Sequence, residues 1–228
     1  MNPPIPGPSG TFFHRIRLWV YQLGLVLFGL VYLVLRRFRG RPLPGIRERL
    51  AIYPSALKKE LFWESCPIWI HLVSVGEVLT ARPLIEELRR RFPGKRWVIT
   101  TVTPTGREMA QPLVRSGKDH LLYLPWDFAP LVRRALEAIR PCLFLSFETE
   151  LWPVLFRELS RQQIPIAVVN GRISPTAYRR YLWVRPWMQA VLSDVGFIFA
   201  QSPQDLRRFA VLGAAKDRMA SRSAGSPI

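Results

Sequence analysis

The residues of this chain best suited to chemistry are two glutamates and the small polar residues around them. Glu77 lies in Ser74-Val75-Gly76-Glu77-Val78, and Glu148 opens Glu148-Thr149-Glu150-Leu151-Trp152-Pro153. A carboxylate of suitable pKa takes a proton from an acceptor hydroxyl, and a second one nearby positions or stabilises charge. Each can also be read structurally. Glu77 and Glu148 are then carboxylates favoured by a helix dipole, and Glu150 is first-turn capping for a helix after Pro153. Thr103-Pro104-Thr105-Gly106 forms a small polar loop able to hold a phosphate or sugar hydroxyl through its backbone, with Thr105 as an alternative helix cap. Arg172, in Asn170-Gly171-Arg172-Ile173-Ser174, can meet an anionic substrate or pair with Glu148 or Glu150.

These residues stand where strands are expected to end. Apolar runs with little polar alternation predict strands over Ile68–Val73, Trp97–Val102, Leu121–Leu124, Leu143–Phe147, Ile164–Val169 and Phe197–Ala200. Helical spacing of apolar residues predicts helices over Val78–Arg91, Arg107–Ser116, Ala129–Ile139, Pro153–Gln162, Thr176–Ser193 and Gln204–Leu212. The alternation implies an α/β fold, an open and doubly wound parallel sheet with helices on both faces. Strand ends distant in sequence then share one rim, where such sheets keep their sites. A phosphate is the usual guest of a strand–Gly–helix turn, but Glu77 would repel it. Gly76 stands alone, without the Gly-rich spacing of a dinucleotide site. Gly94-Lys95 lacks the rest of a P-loop.

The 228 residues carry 33 Lys and Arg against 16 Asp and Glu, a net charge of +17 that favours an anionic partner. Arg89-Arg90-Arg91, Arg133-Arg134 and Arg207-Arg208 read as solvated helix faces. The 176–193 stretch interleaves Tyr178, Tyr181, Trp183, Trp187 and Met188 with Arg179, Arg180 and Arg185, as an anionic lipid interface or as a core stripe with Arg outside. Cys66 and Cys142, with His14, His71 and His120, show neither a disulfide framework nor metal spacing, so no metal is expected. Leu18 to Leu35 is apolar apart from Gln22 and has its heavier arginine flank after residue 36. That predicts a transmembrane signal anchor over 18–35 with the rest cytoplasmic. A 1–17 tail precedes it, and a basic, membrane-proximal linker over 36–66 follows. Nucleic-acid binding would explain the charge but neither the apolar segment nor the rim carboxylates.

At these motifs, together with Leu124-Pro125-Trp126-Asp127 and Ala200-Gln201-Ser202, the chain resembles the 3-deoxy-D-manno-octulosonic acid (Kdo) transferases of lipopolysaccharide synthesis. Trp126 stands where that family commonly has Tyr, and Gly171 where it commonly has Ala. The resemblance implies a GT-B-type, metal-independent, inverting glycosyltransferase with two Rossmann-like domains, in a bacterial inner membrane. It implies that the lipid A precursor binds the N-terminal domain, here 67–219, and that the donor CMP-Kdo binds the C-terminal one, with no cofactor. Glu77 matches the general base and Glu148 the carboxylate that stabilises the transition state. Ser74, Gly76, Thr103, Thr105, Gly106, Glu150 and Arg172 are the expected substrate-binding residues. After Ala214 the family continues into its donor half, whereas residues 220–228 here are a Gly/Ser/Pro tail expected to be disordered. The sequence therefore implies an acceptor half cut short near residue 219 by a frameshift or premature stop. A non-catalytic, membrane-anchored acceptor-binding module or a pseudogene fragment is the alternative.

Overall fold

Residues buried on both faces of a sheet have no reason to alternate with polar ones, and the central strands show this directly. All four residues of β1 (Ile68–His71) and all five of β2 (Trp97–Thr101) are buried. The computed structural model describes residues 21, 24, 44–54 and 66–221. In them β1 and β2 are joined by β3 (His120–Tyr123), β4 (Leu143–Phe147), β5 (Ile166–Gly171), β6 (Phe197–Ala200) and β7 (Met219–Ser221). The seven strands form one sheet in the order β3-β2-β1-β4-β5-β6-β7. Every pairing is parallel, with Ile68 opposite both Trp97 and Leu143.

The helices are α1 (Ile46–Arg49), α2 (Val75–Arg91), α3 (Pro104–Ala110), α4 (Ala129–Ile139), α5 (Pro153–Arg161), α6 (Pro175–Trp183), α7 (Arg185–Ser193) and α8 (Pro203–Leu212). Successive strand residues point to opposite faces, and two cores result. Trp69, Phe144, Val168 and Ile198 meet α4, α5, α7 and α8, while Ile68, Ile70, Ile99 and Leu145 meet α2 and α3. The first core is strongly aromatic: Trp69 meets Phe144 edge-on at 5.1 Å, and Phe144 meets Phe156 at 6.1 Å. Burying each such ring contributes about 1.5–3 kcal/mol.

Four boundaries differ from the sequence expectation for physical reasons. The helix expected from Val78 starts at Val75, so Gly76 and Glu77 sit in its first turn instead of before it. The helix expected from Arg107 starts at Pro104 and tightens into a 3₁₀ turn over Gln111–Leu113. The single helix expected over 176–193 breaks at Val184, because Pro186 has no N–H for the carbonyl one turn back. A seventh strand, Met219–Ser221, pairs with β6 and takes in two residues assigned to the tail.

Part of the expected linker is folded onto the sheet edge. The Glu48 carboxylate accepts the Tyr123 backbone N–H at 2.6 Å and pairs with Arg107 at 2.8 Å. The Arg49 guanidinium lies over the Tyr123 ring, and Ala51 and Tyr53 are buried. The arginine blocks are likewise only partly solvated. Arg90 and Arg91 pair with Glu87 on an open face, but Arg89 reaches buried Asp119 at 2.7 Å and Arg133 reaches Glu158 at 2.9 Å. Arg208 bonds the Ile173 carbonyl and lies 3.4 Å from Asp205.

The expected anchor over 18–35 lies outside the described residues apart from Tyr21 and Gly24, as does the 1–17 tail. Among the described residues no helix is long and apolar enough to cross a membrane. Tyr21 packs against Trp187, with ring centroids 5.9 Å apart, and hydrogen-bonds Asp127. Tyr21 therefore rests on the α/β domain.

Candidate active site

The chain builds β1, β2 and β3 outward in one direction and then returns to add β4 on the other side of β1. In sheets that reverse in this way, the loops leaving the two strands at the reversal, here β1 and β4, diverge and open a crevice beyond their carboxyl ends. Glu77 follows β1, and Glu148 and Glu150 follow β4. The strand order thus brings Glu77 to Glu148 and Glu150, which lie more than 70 positions further along the chain.

Glu77 is held by its own helix start. Ser74 is the N-cap of α2: its Oγ accepts the Glu77 N–H and donates to the Glu77 carboxylate at 3.0 Å. The other carboxylate oxygen accepts the Val73 N–H at 2.8 Å. This is a capping box, in which the carboxylate reaches back over the helix start. The structural reading of Glu77 is therefore present in the molecule, whatever else the residue does. Glu77 is 5% exposed. Burial raises its pKa, the bonds from Val73 and Ser74 oppose the rise, and the Glu148 charge adds to it.

Glu148 has a left-handed backbone, φ 57, at the very end of β4. Its N–H donates to the Val169 carbonyl at 2.8 Å, which ties that turn to β5. A non-glycine residue in this region carries strain that tends to mark functional positions. Two residues on, burial raises the Glu150 carboxyl to about 7, with Glu77 and Glu148 adding to it. Glu150 is then close to half protonated at neutral pH. Tyr181 of α6 faces the same group: burial raises its hydroxyl pKa, and the Glu150 charge raises it further.

The expected substrate-binding residues divide into two sets. Ser74, Thr103 and Gly106 support the turn. Thr103, and not Thr105, caps α3: its Oγ1 accepts the Gly106 N–H at 3.0 Å and donates to the Val73 carbonyl at 3.2 Å. A Cβ on Gly106 would lie 2.8 Å from Thr103 Oγ1 and 3.0 Å from that carbonyl, so only glycine lets α3 approach the β1–α2 turn. Gly76, Thr105 and Arg172 are exposed, and a Cβ at Gly76 would meet nothing nearer than 4.0 Å. Of the two alternatives for Arg172, the pair with Glu148 or Glu150 is not formed: among the described residues its guanidinium has no ion pair. Its backbone is latched instead to the Thr149 hydroxyl, which accepts the Arg172 N–H at 3.1 Å and donates to the Arg172 carbonyl.

Most motifs on this rim prove to be helix starts. Ser174 and Ser202 cap α6 and α8, each accepting an N–H three residues on at 3.1 Å. Pro104, Pro153, Pro175 and Pro203 occupy first helical positions, where a missing N–H costs nothing. The sequence reading gave Asp127, named only within a motif, and His71, weighed only as a metal ligand, no role. Asp127 is 3% exposed and accepts the N–H groups of Val154 at 3.0 Å and Leu155 at 2.7 Å, so it caps α5 from a distant loop. Burial raises its pKa to about 6 against the opposing bonds from Val154, Leu155 and Tyr21. His71, at the end of β1, places Nδ1 3.0 Å from Thr100 Oγ1 and sets its ring edge-on to Trp152 at 5.6 Å. No local pattern marks either residue, since their partners lie 27 or more positions away. Among the described residues no group of three His, Cys, Asp or Glu is placed to hold a metal.

Fold and site together define a Rossmann-like parallel α/β domain whose carboxylates gather at the switch point of the sheet. The chain belongs to the 3-deoxy-D-manno-octulosonic-acid transferase (kdotransferase) family, whose profile matches residues 44–223. A 3-deoxy-D-manno-octulosonic acid transferase of Haemophilus influenzae is 33% identical over 213 residues, 91% of this chain and 47% of that protein. One of Chlamydia pneumoniae is 26% identical over 90% of this chain and 47% of that protein. The chain spans about half the length of these curated relatives. Among solved structures, a Listeria monocytogenes protein provisionally named a UDP-N-acetylglucosamine 2-epimerase superposes with a TM-score of 0.50 at 11% identity. The overlap covers 68% of this chain and 43% of that one, and it is a likeness of fold alone.

Proposed function

We propose that this chain is the acceptor-binding half of a GT-B-type inverting transferase that moves Kdo from CMP-Kdo to a lipid A precursor. Glu77 takes the proton of the acceptor hydroxyl, the freed oxygen attacks the anomeric carbon of Kdo, and CMP leaves from the opposite face. Glu148 stabilises charge as the bond to CMP breaks. Neither metal nor cofactor has a role. The observation that carries this reading is the convergence of Glu77, Glu148 and Glu150 at the β1/β4 crevice, where burial and mutual repulsion raise the pKa of Glu77. A raised carboxyl is a stronger base for an alcohol than an ordinary surface glutamate.

Gly76, Thr105, Glu150 and Arg172 then contact the acceptor, while Ser74, Thr103 and Gly106 act through the turn that holds Glu77. Arg172 and the exposed basic residues of α6 suit the phosphates of a lipid A precursor and anionic membrane lipid. The proposed location is the cytoplasmic face of a bacterial inner membrane, with attachment through residues 18–35. Tyr21, bonded to Asp127, is a residue of that segment in contact with the domain.

The test uses the chain in membranes, supplied with lipid A precursor and freshly made CMP-Kdo, beside Glu77→Gln. Glutamine keeps a capping-box side chain but cannot take the proton. Loss of at least about 100-fold in turnover with unchanged precursor binding supports the base role. Equal turnover by both proteins removes it. Precursor binding that high salt abolishes, with no turnover by either protein, favours the acceptor-binding module.

A further inference from the structure

The two cysteines, 76 positions apart and unremarkable in the sequence, come together at the end of the sheet opposite the catalytic rim. Cys66 lies two residues before β1, Cys142 directly before β4, and Lys95 in the turn that leads into β2. The Lys95 Nζ is 3.8 Å from the Cys66 sulfur and 3.7 Å from the Cys142 sulfur. The Cys142 thiol points at the Cys66 carbonyl at 3.1 Å, and the Cys142 N–H donates to the Pro67 carbonyl at 3.0 Å. That backbone bond keeps the two segments one strand spacing apart, and since Ile68 stands opposite Leu143, Pro67 faces Cys142. Cys66 is one residue further along, which puts the two cysteine Cα atoms roughly 6 Å apart. Disulfides bridge Cα separations of about 4.4–6.8 Å.

We propose that Cys66 and Cys142 are a peroxide-reactive thiol pair that closes a reversible disulfide across the amino ends of β1 and β4, with Lys95 promoting the reaction. Cys66 is exposed and reacts first, whereas Cys142 is partly buried. Burial raises the Cys142 thiol pKa and Cys66 adds to it, while Lys95 acts in the other direction. The Cys66 thiolate attacks one oxygen of hydrogen peroxide. The O–O bond breaks, Cys66 becomes a sulfenic acid, and hydroxide leaves, regaining from solvent the proton the thiol had released and so departing as water. Cys142, losing its proton, then attacks the Cys66 sulfur and expels hydroxide, which leaves as a second water. The two thiols together give up the two electrons that the peroxide gains. The Lys95 ammonium faces each thiolate and the departing hydroxide. A reducing cytosol reopens the bond by thiol exchange, so it would form under peroxide stress and not persist as a structural staple. The chain entering β1 would then be fastened to β4 without any rim residue moving.

The full chain in detergent is treated with hydrogen peroxide, alkylated and digested without reductant. The expected product is one peptide pair joining Cys66 to Cys142, reversed by dithiothreitol, with native thiols falling from two to none per chain. Cys142→Ser should stop the reaction at a Cys66 sulfenic acid that dimedone traps. Cys66→Ser should leave Cys142 largely unreacted over the same interval. Lys95→Met should slow disulfide closure about three- to tenfold, and Lys95→Arg should restore it. Circular dichroism confirms that each variant is folded. Cys66–Cys66 dimers or separate sulfinic acids, in a folded chain and without the Cys66–Cys142 pair, overturn the proposal. Lys95→Met closing at the wild-type rate removes Lys95 from it.

Discussion

Replacing Asp127 by asparagine isolates a buried charge that caps α5 beside the Glu148–Glu150 loop. The wild-type carboxyl has a pKa of about 6 in the folded chain, against 3.8 for a free aspartate, chiefly because it is buried. The folded state therefore holds the proton more tightly than the unfolded state. Stability from this group is full below pH 3.8 and is lost as pH rises through 6. A displacement of roughly two pH units corresponds to about 3 kcal/mol across that window. Asparagine does not titrate, but its amide oxygen replaces two carboxylate oxygens that now take the Val154 and Leu155 N–H groups. One of those donors is left poorly satisfied, which costs about 1–3 kcal/mol. Asp127→Asn should accordingly be less stable than wild type at pH 4 by that amount. The gap should close by about 2.5 kcal/mol by pH 7, leaving the two nearly equal or the variant ahead. Urea unfolding followed by tryptophan fluorescence at pH 4, 5, 6 and 7 measures the difference. A gap that stays constant over this range would refute the assignment of the charge to Asp127.

His71 acts in the opposite sense. Burial lowers it from 6.5 to about 3, so its contribution to stability is present above pH 6.5 and is lost as pH falls toward 3. At pH 4.5 wild type should have lost about 3 kcal/mol that His71→Gln does not lose, read as the change in their stability difference between pH 7 and 4.5. Gly106→Ala forces a methyl group onto the Val73 carbonyl and should cost about 1–3 kcal/mol, seen as a lower melting temperature together with weaker precursor binding. Trp183 is 91% exposed on α6. Trp183→Ser should change stability by no more than about 0.5 kcal/mol while reducing co-sedimentation with anionic vesicles, and unchanged co-sedimentation would remove Trp183 from the membrane contact.

The parallel sheet was legible because β1, β2 and β4 are buried on both faces and so read as unbroken apolar runs. Glu77, Glu148 and Glu150 were legible because rim positions follow from where such runs end. What each rim residue does was not, because a phosphate loop and a helix N-terminus draw on the same Ser, Thr, Gly and Pro. Thr103-Pro104, Ser174-Pro175 and Ser202-Pro203 are caps, and that choice depends on which N–H groups lack partners in three dimensions. The break at Val184 was available in principle from Pro186, which strong aromatic periodicity on both sides concealed. Asp127 on α5 and Cys142 beside Cys66 depend on β4 lying next to β1, a neighbour relation that no local window contains.

The left-handed backbone at Glu148 has an evolutionary consequence. An L-residue with a Cβ pays about 1 kcal/mol or more to stand there, and glycine pays almost none. Glu148→Gly should therefore raise the unfolding free energy while deleting a carboxylate from the crevice. Selection for thermal robustness alone would favour glycine at this position, as it would at Ala51, Arg140, Gln163 and Asn170, which share the left-handed backbone. Any stability-guided redesign of this fold would need to hold Glu148 fixed, or it would trade away the site for a better-behaved protein.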